Sequence, residues 1–151
     1  SGTGADTITG GAGADTFEFL AAGDGLNGNG LTVGNNDGAN GAIGATDTIA
    51  LTANADVLAD FDEATGDKLD LSAFSLTGAA TLASTGSSTA TDHVADGKYA
   101  LVTGTLAGTT LTVGGTATHT AVFFDADTTA GVDTEVVLVA DVITAADLIL
   151  A

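Results

Sequence analysis

The chain has 151 residues, 22 of them Gly, contains no Cys and no Pro, and carries a formal net charge of −18 from 20 acidic side chains against two lysines. This charge excludes nucleic-acid binding, because phosphate recognition needs a basic patch, and the lack of Cys excludes disulfides and thiolate metal sites. The length predicts a single domain, residues 1–151, and the abundance of Gly and Thr favours strands and tight turns over helices.

A nine-residue pattern occurs twice at the start of the chain. Gly10-Gly11-Ala12-Gly13-Ala14-Asp15-Thr16-Phe17-Glu18 fits G-G-x-G-x-D-x-U-x, where U is apolar, at every fixed position, and residues 1–9 fit with Ser1 in place of the first Gly. The glycines let the backbone turn through positive φ and expose carbonyl oxygens, and the aspartate adds an anionic oxygen. The apolar residue, Ile8 or Phe17, points into a core. Oxygen ligands without Cys or clustered His select a hard cation such as Ca²⁺.

The predicted calcium ligands are the residues at the fixed positions of this pattern. They are Gly2, Gly4, Asp6, Gly10, Gly11, Gly13 and Asp15, joined by Asp24, which continues the spacing of nine residues between the aspartates. A flexible acidic turn that binds no metal is the alternative interpretation.

The next stretch, residues 26–46, is predicted to be a Gly- and Asn-rich loop with one short strand at Leu31–Val33. Its amides and acids offer a second oxygen site, with a plain solvated loop as the alternative, because no ligand spacing repeats there.

Alternating apolar and polar residues predict strands from residue 47 onward. These strands are Asp47–Leu51, Asp56–Phe61, Lys68–Leu71, Tyr99–Thr103, Thr110–Val113, Thr120–Phe124 and Thr134–Val139. A short helix at Asn54–Asp60 competes with the second of them. The apolar run of the last strand predicts burial on both faces, and Lys68 is predicted to pair with nearby carboxylates at the surface.

Two features follow near the end of the chain. Asp125, Asp127 and Asp133 surround Gly131 and form a weaker candidate calcium site, with an acidic hairpin turn as the alternative. Thr144, followed three residues later by Asp147, has the order of a capping box and predicts a single helical turn over Ala145–Leu150.

The opening repeats resemble those of the RTX (repeats-in-toxin) calcium-binding family, bacterial proteins exported by type I secretion. Asp60-Phe61 and Gly66–Phe74 resemble the D-F…G-D-K-I-D-L-S-x-F segment of serralysin-type C-terminal domains. The acidic turn and strand from Asp125 to Val139 and the terminal Thr144–Leu150 resemble the end of the same domains. Leu26–Thr46 and Thr77–Thr120 carry no part of this resemblance.

The resemblance implies an all-β fold. It predicts a short parallel β-roll stub in residues 1–25, then the loop of residues 26–46, then an antiparallel sheet or sandwich in residues 47–151 that includes a C-terminal secretion signal at about 134–151. In such rolls two repeats form one coil, so Asp6 and Asp24 are expected to share a side. The turn at Gly10–Asp15 is expected to need a partner coil upstream, supplied either by residues before Ser1 or by another molecule.

A catalytic function is not expected. The only histidines are His93 and His119, and no H-E-x-x-H helix accompanies them, so the serralysin protease domain is absent. Asp92 and His93 lie near Ser87 and Ser88, but no nucleophile-elbow motif surrounds either serine. We therefore predict that the protein is not an enzyme.

The expected function is that of a calcium-binding extracellular structural protein, exported by type I secretion and self-assembling as a filament or surface-layer subunit of a bacterium. The alternative is a C-terminal, calcium-dependent folding and secretion module of a larger toxin, protease or adhesin. A lectin-like binding domain is less favoured, because Tyr99 is the only Tyr and there is no Trp. Expected partners are further copies of the chain and the type I secretion machinery.

The chain opens without a Met or a signal-peptide pattern, so we expect a fragment or a processed product. No transmembrane segment is predicted, since the longest apolar run, Val136–Ala140, is far too short.

Overall fold

A computed structural model describes residues 4–21, 26–27, 32–34, 41–51, 55–84, 93–125 and 134–150. Apart from two short 3₁₀ turns, the regular structure of these residues consists of strands, which confirms the predicted all-β class. The strands are β1 (Thr7–Ile8), β2 (Thr16–Glu18), β3 (Leu26–Asn27), β4 (Thr32–Gly34), β5 (Gly41–Ala42), β6 (Thr48–Ala50), β7 (Asp56–Leu58), β8 (Lys68–Asp70), β9 (Ala83–Ser84), β10 (Tyr99–Ala107), β11 (Thr110–Val113), β12 (His119–Asp125), β13 (Thr134–Val139) and β14 (Leu148–Ile149).

Three coils of the chain stack in parallel and form a roll. Coil 1 (residues 7–18) contributes β1 and β2, coil 2 (residues 56–70) contributes β7 and β8, and coil 3 (residues 134–149) contributes β13 and β14. One wall is the parallel series β1-β7-β13 and the other is β2-β8-β14. The parallel part of the fold therefore extends well beyond residues 1–25, and Asp56–Leu58 is a strand of it rather than a helix.

Two apolar columns run through the interior of this roll. The register places Ile8 opposite Leu58, which in turn lies opposite Val139. On the other wall Phe17 lies opposite Leu69, and Leu69 lies opposite Leu148. Five of these six residues belong to one hydrophobic cluster, the roll core, and the sixth, Ile8, packs against it. Side chains of a strand alternate between its two faces. Because the register keeps the same alternation in all three coils, the apolar side chains of one coil stack on the apolar side chains of the next.

Two long insertions separate the coils and build the antiparallel part of the fold. Residues 19–55 follow coil 1 and residues 71–133 follow coil 2. Their strands extend the first wall beyond β13 in the order β12-β10-β11-β6-β4, and these neighbours are antiparallel. β3 also pairs with β13, and β5 pairs with β9 in a sheet of two strands. The large sheet is therefore mixed: one edge of β13 pairs with antiparallel β12, and the other pairs with parallel β7 and antiparallel β3.

β13 forms the boundary between two cores. Val137 and Val139 contact the roll core, whereas Val136 and Leu138 contact a second cluster on the opposite face of the sheet. All six residues of this strand are buried. The predicted burial on both faces is confirmed, and it explains why the strand lacks polar alternation.

The second core is closed by the hairpin of β10 and β11. Gly104 in β10 lies so close to the neighbouring strand that a Cβ on it would stand 2.2 Å from the carbonyl oxygen of Thr112. Ile49, Leu111 and Phe123 are completely buried in this core. The insertions thus fold into a unit with its own packed interior against coil 3.

The end of coil 3 contains the predicted capping box. The side chain of Thr144 accepts a hydrogen bond from Ala146 N, and Asp147 Oδ2 accepts one from Thr144 N at 2.9 Å. The turn that follows is a 3₁₀ turn over Ala145–Asp147, shorter than predicted because β14 begins at Leu148. Across the described ranges no helix has the length and hydropathy needed to cross a membrane.

Candidate metal centre

The glycine-rich turn of coil 1 lies against the acidic turn of coil 2. We call residues 9–15, between β1 and β2, turn 1, and residues 59–67, between β7 and β8, turn 2. Ala59 N donates a hydrogen bond to the carbonyl oxygen of Ile8, and Lys68 N donates one to that of Asp15. The expectation that turn 1 lacks a partner within the chain is therefore wrong. Its partner comes from downstream, because residues 19–55 return the chain to coil 1 in parallel register.

The carboxylate of Asp60 in turn 2 accepts two backbone hydrogen bonds from turn 1. Oδ1 accepts the N–H of Gly10 at 3.0 Å, and Oδ2 accepts the N–H of Gly11 at 2.9 Å. The bond from Gly11 and then that from Gly10 lower the pKa of Asp60 below its ordinary value, because both stabilise the ionised form. Successive N–H groups of a glycine turn make a nest for anions. The coil-2 face of turn 1 therefore binds a carboxylate rather than a cation.

Two more carboxylates of coil 2 repeat this arrangement. Asp6 N donates to Asp56 Oδ1 at 2.8 Å, and Asp15 N donates to Asp67 Oδ1 at 2.8 Å. Both acceptors are buried, and the strand register places each of them opposite its donor. Coil 2 thus presents a carboxylate to the backbone of coil 1 at each position where the nonapeptide pattern has an aspartate.

Asp15 packs on Gly10 within turn 1. A Cβ on Gly10 would stand 2.6 Å from Asp15 Oδ2 and 2.7 Å from its Cγ, so only glycine fits at this position. Asp15 Oδ2 is out of contact with solvent, and no hydrogen-bond donor of the described residues reaches it. A buried polar atom without a partner costs about 1–3 kcal/mol, and more when it is charged. A bound cation would remove this cost.

The corresponding oxygen in turn 2 has a donor. Asp67 Oδ2 accepts a hydrogen bond from Asp62 N at 3.0 Å, inside its own turn. Turn 2 spans residues 59–67, whereas turn 1 spans only residues 9–15 and has no equivalent of that donor. The shorter turn thus leaves one carboxylate oxygen unsatisfied where the longer turn does not.

Three glycines of the pattern have the positive φ that was predicted, whereas Gly10 does not. Gly4 has φ of 132° and Gly13, nine residues later, has φ of 120°, while Gly11 has φ of 100°. Residues with a Cβ rarely adopt this region. The repetition at a spacing of nine shows that the two copies of the pattern fold alike at this position. Gly2 and Asp24, which were predicted to contribute to the same site, lie outside the described residues.

Carboxylate and backbone carbonyl oxygens of turn 1 are of the chemical type that calcium binds, and a calcium site here stays a prediction. Where the structure describes the chain, no group of three acidic or histidine side chains is placed to hold a metal ion. Asp15 would therefore supply the side-chain oxygen, and backbone carbonyls of turn 1 would supply most of the others. Carbonyl and carboxylate oxygens are the ligands that Ca²⁺ accepts.

A lysine of coil 2 binds two groups of coil 3. Lys68 Nζ donates to Asp147 Oδ1 at 3.1 Å and to the carbonyl oxygen of Ala146 at 3.0 Å. Burial raises the pKa of Asp147, but the hydrogen bonds from Thr144 N and Lys68 outweigh burial and hold it below its ordinary value. The predicted pairing of Lys68 with a carboxylate is confirmed. At this junction the protein's own ammonium group lies between a carboxylate and a carbonyl.

The second predicted calcium site is only partly described. Asp125 is buried, its carboxylate accepts a hydrogen bond from Gly97 N, and its own N–H donates to the carbonyl oxygen of Lys98. These bonds fix the turn that precedes β10. Asp127 and Asp133 lie outside the described residues, so a shared site with Asp125 stays a prediction.

The two histidines lie in different surroundings. His93 is buried, and its backbone N–H donates to Thr134 Oγ1 at 3.2 Å. His119 lies in β12, and its Nδ1 is 2.8 Å from Thr118 Oγ1. Ser87, Ser88 and Asp92 lie outside the described residues, so nothing is said of their position relative to His93.

Sequence reasoning missed the carboxylates Asp56, Asp60 and Asp67 as partners of the glycine turn. A signal was available in the order D-x-U-x-U, which occurs as Asp15-Thr-Phe-Glu-Phe19 and again as Asp67-Lys-Leu-Asp-Leu71. The two copies pair in register as β2 and β8. A search for repeats restricted to a spacing of nine residues passes over this pair, because an insertion separates its members.

The chain matches no protein-family model, and a search of curated proteins also gave no match.

Proposed function

We propose that this protein is a non-catalytic, calcium-binding β-roll module of an extracellular bacterial protein, related to the RTX family and exported by type I secretion. The observation that carries the proposal is the buried, unsatisfied Oδ2 of Asp15 in a turn that has the nonapeptide sequence. An oxygen in this position favours a bound cation, because the cost of leaving it without a partner disappears on coordination.

The charge of the chain supports the same proposal. A formal net charge of −18 opposes compaction through self-repulsion, which divalent cations reduce. Calcium is scarce inside cells and near millimolar outside them, so a roll of this kind stays unfolded before export and folds after it. The resemblance to the C-terminal domains of RTX proteins implies the same behaviour.

Between the two structural roles, the geometry favours a folding and secretion module of a larger protein. A filament of rolls stacked head to tail needs two complementary ends. Coil 1 has its two strands at sheet edges, but in coil 3 β13 is already paired with β12 on its far side. A self-assembling subunit is the second candidate, since β1 and β2 lie at sheet edges in the strand order of the described residues, and edge strands can pair with another chain.

The first experiment is a calcium titration of the purified chain, followed by circular dichroism and light scattering, with magnesium as the control ion. We expect calcium, and not magnesium at the same concentration, to raise the thermal midpoint and to leave a monomer. Calcium-dependent filaments would favour the self-assembling role. A thermal midpoint indifferent to calcium and to chelator would contradict the proposed site.

The variant Asp15→Asn tests the assignment of the ligand. It removes the anionic oxygen, and we expect the calcium concentration at half-saturation to rise at least several fold. Glu18→Gln is the matched control, because Glu18 is exposed on β2 and carries the same charge. Replacement of Asp6 and Asp24 together by Ala is expected to act in the same direction as Asp15→Asn.

A further inference from the structure

One edge of strand β10 has two different neighbours along its length. At the start of the strand, Ala80 N donates a hydrogen bond to the carbonyl oxygen of Tyr99 at 2.7 Å. Farther along, Gly114 N donates to the carbonyl oxygen of Thr103 at 3.0 Å, and the pairing with β11 follows from there. Leu101 therefore lies midway between the two neighbours.

The backbone of Leu101 points into the gap between these neighbours. The N–H and C=O groups along a paired strand point to alternate edges. Asp125 N donates to the carbonyl oxygen of Lys98, directly before β10, so the even-numbered residues of β10 bond to β12 and Leu101 points to the opposite edge. Of the backbone hydrogen bonds among the described residues, none reaches Leu101 on that edge. A donor and an acceptor of the sheet are thus open at this position.

A cleft of about 390 Å³ lies beside this open position. Its walls include Ile43, Leu82 and Val113, which belong to the second core or pack against it, together with Leu101 and Thr103. Leu101 and Thr103 are only half-buried, so solvent reaches the cleft. A mostly apolar cavity of this size with a few placed backbone groups has the usual form of a binding site for a small ligand.

The length of the gap limits what can pair with Leu101. Tyr99 and Thr103, which hold the two neighbours, are separated by about 13 Å along an extended strand. One added residue with its two flanking peptide groups takes up roughly 7 Å of this length. A longer added strand would meet Ala80 at one end and Gly114 at the other. The gap therefore has room for a single residue.

The lining of the cleft is uncharged, although the chain has a formal net charge of −18. The described residues that line it are all Gly, Ala, Thr or aliphatic. A charged ligand group would lose hydration here without gaining a partner of opposite charge. The cleft therefore favours a neutral ligand with an apolar side chain, one hydrogen-bond donor and one acceptor.

We propose that this cleft binds one aliphatic residue of a neutral, extended peptide, which adds to the sheet at Leu101. The carbonyl oxygen of the bound residue accepts the N–H of Leu101, and its own N–H donates to the carbonyl oxygen of Leu101, as in paired residues of a sheet. The cleft shares no residue with turn 1 or turn 2, so this site goes beyond the proposed function and does not depend on it.

The first test uses the probe N-acetyl-leucine N-methylamide, added to the full chain in millimolar calcium and followed by the backbone amide signals in NMR. We expect a saturable shift of the Leu101 amide signal with half-saturation in the millimolar range, as for other ligands of this size. The control probe carries a methyl group on the leucine nitrogen, which removes the donor, and is expected to bind at least several fold more weakly. Equal shifts with both probes would overturn the proposed pairing.

A pair of variants tests the location of the site. Ala80 lines the cleft and is half-buried, so Ala80→Leu is expected to fill the cleft and abolish the saturable shift. Ala79→Leu is the matched control, because Ala79 is exposed and does not line the cleft. Amide signals away from the cleft show whether each variant keeps its fold. Unchanged binding by a folded Ala80→Leu variant would refute the location.

Hydrogen exchange tests the open edge without any substitution or probe. The amides of Ala100 and Val102 point to β12, so we expect the amide of Leu101 to exchange about tenfold faster than either, or more. Equally slow exchange would show that another part of the chain already pairs with Leu101, and the inference would be overturned. If calcium had no effect on stability while the probe still bound at Leu101, the calcium module would be refuted and this site would stand.

Discussion

The N–H of Asp15 donates a hydrogen bond to Oδ1 of Asp67, 52 residues later in the chain, over a distance of 2.8 Å. The donor belongs to a glycine turn and the acceptor to an acidic turn, and the strands that follow the two turns pair in parallel. The stability of the roll therefore depends on contacts between segments that are remote in sequence.

Gly10→Ala is expected to destabilise the roll by about 1–3 kcal/mol, as overpacking substitutions in well-packed sites do. The added Cβ would stand 2.6 Å from Asp15 Oδ2, so the aspartate would have to move out of its position. The free energy of unfolding in urea measures the effect. Thr9→Ala, at the exposed neighbouring residue, is the control. Equal free energies of unfolding for the two variants would show that the packing of Asp15 on Gly10 does not contribute to stability.

Asp60→Asn is expected to lower the urea midpoint, because the amide nitrogen that replaces one carboxylate oxygen is a donor and leaves one of the two N–H groups without its acceptor. Glu63→Gln in the same turn removes the same charge at an exposed residue, so it controls for the change in net charge. If both substitutions raised stability equally, relief of charge repulsion would outweigh the bonds of Asp60 to turn 1.

Lys68→Met is expected to cost about 1 kcal/mol, because it removes a charge-assisted hydrogen bond to a buried carboxylate while keeping the apolar stem. Lys98→Met is the control, since Lys98 Nζ donates a hydrogen bond to the neutral hydroxyl of Thr77, at 2.9 Å. Unfolding in urea at fixed calcium compares the two. A larger loss in the control would mean that the junction of coils 2 and 3 does not depend on this ion pair.

Acid is expected to weaken the roll through Asp60 and Asp147. Both pKa values lie below the ordinary value of 3.8, so each carboxylate stabilises the folded state above pH 4, and this contribution is lost as the pH falls through the lowered pKa. Protonation of the other acids acts in the opposite direction by reducing repulsion. The measured quantity is therefore the difference in unfolding free energy between the native chain and the Asp60→Asn, Asp147→Asn double variant. This difference should shrink between pH 5 and pH 3, and a constant difference would refute the assignment.

Local sequence signals predicted the elements of the fold well. The four apolar residues of β13, Val136–Val139, are buried on both faces of the sheet, and Thr144 and Asp147 form the capping box that their spacing indicated. Such features depend on residues within a few positions of one another, where periodicity and hydrogen-bonding capacity determine the outcome.

Those local signals did not predict which strands pair with one another. Thr7 pairs with Val57 and Thr16 with Lys68 across an insertion that no periodicity spans. Asp60 looked like any other acid in a strongly acidic chain, and its position under Gly10 follows only from the register of two distant strands. The glycine positions of the candidate site were readable from the pattern, while the carboxylates that face them were not.

The wall that both cores share also sets an order of events during folding. Neither interior can close until Thr134–Val139 has been synthesised, because this strand supplies side chains to both. The pairings that join coils 1 and 2 span 50 residues or more. Folding should therefore be late and slow relative to chain synthesis.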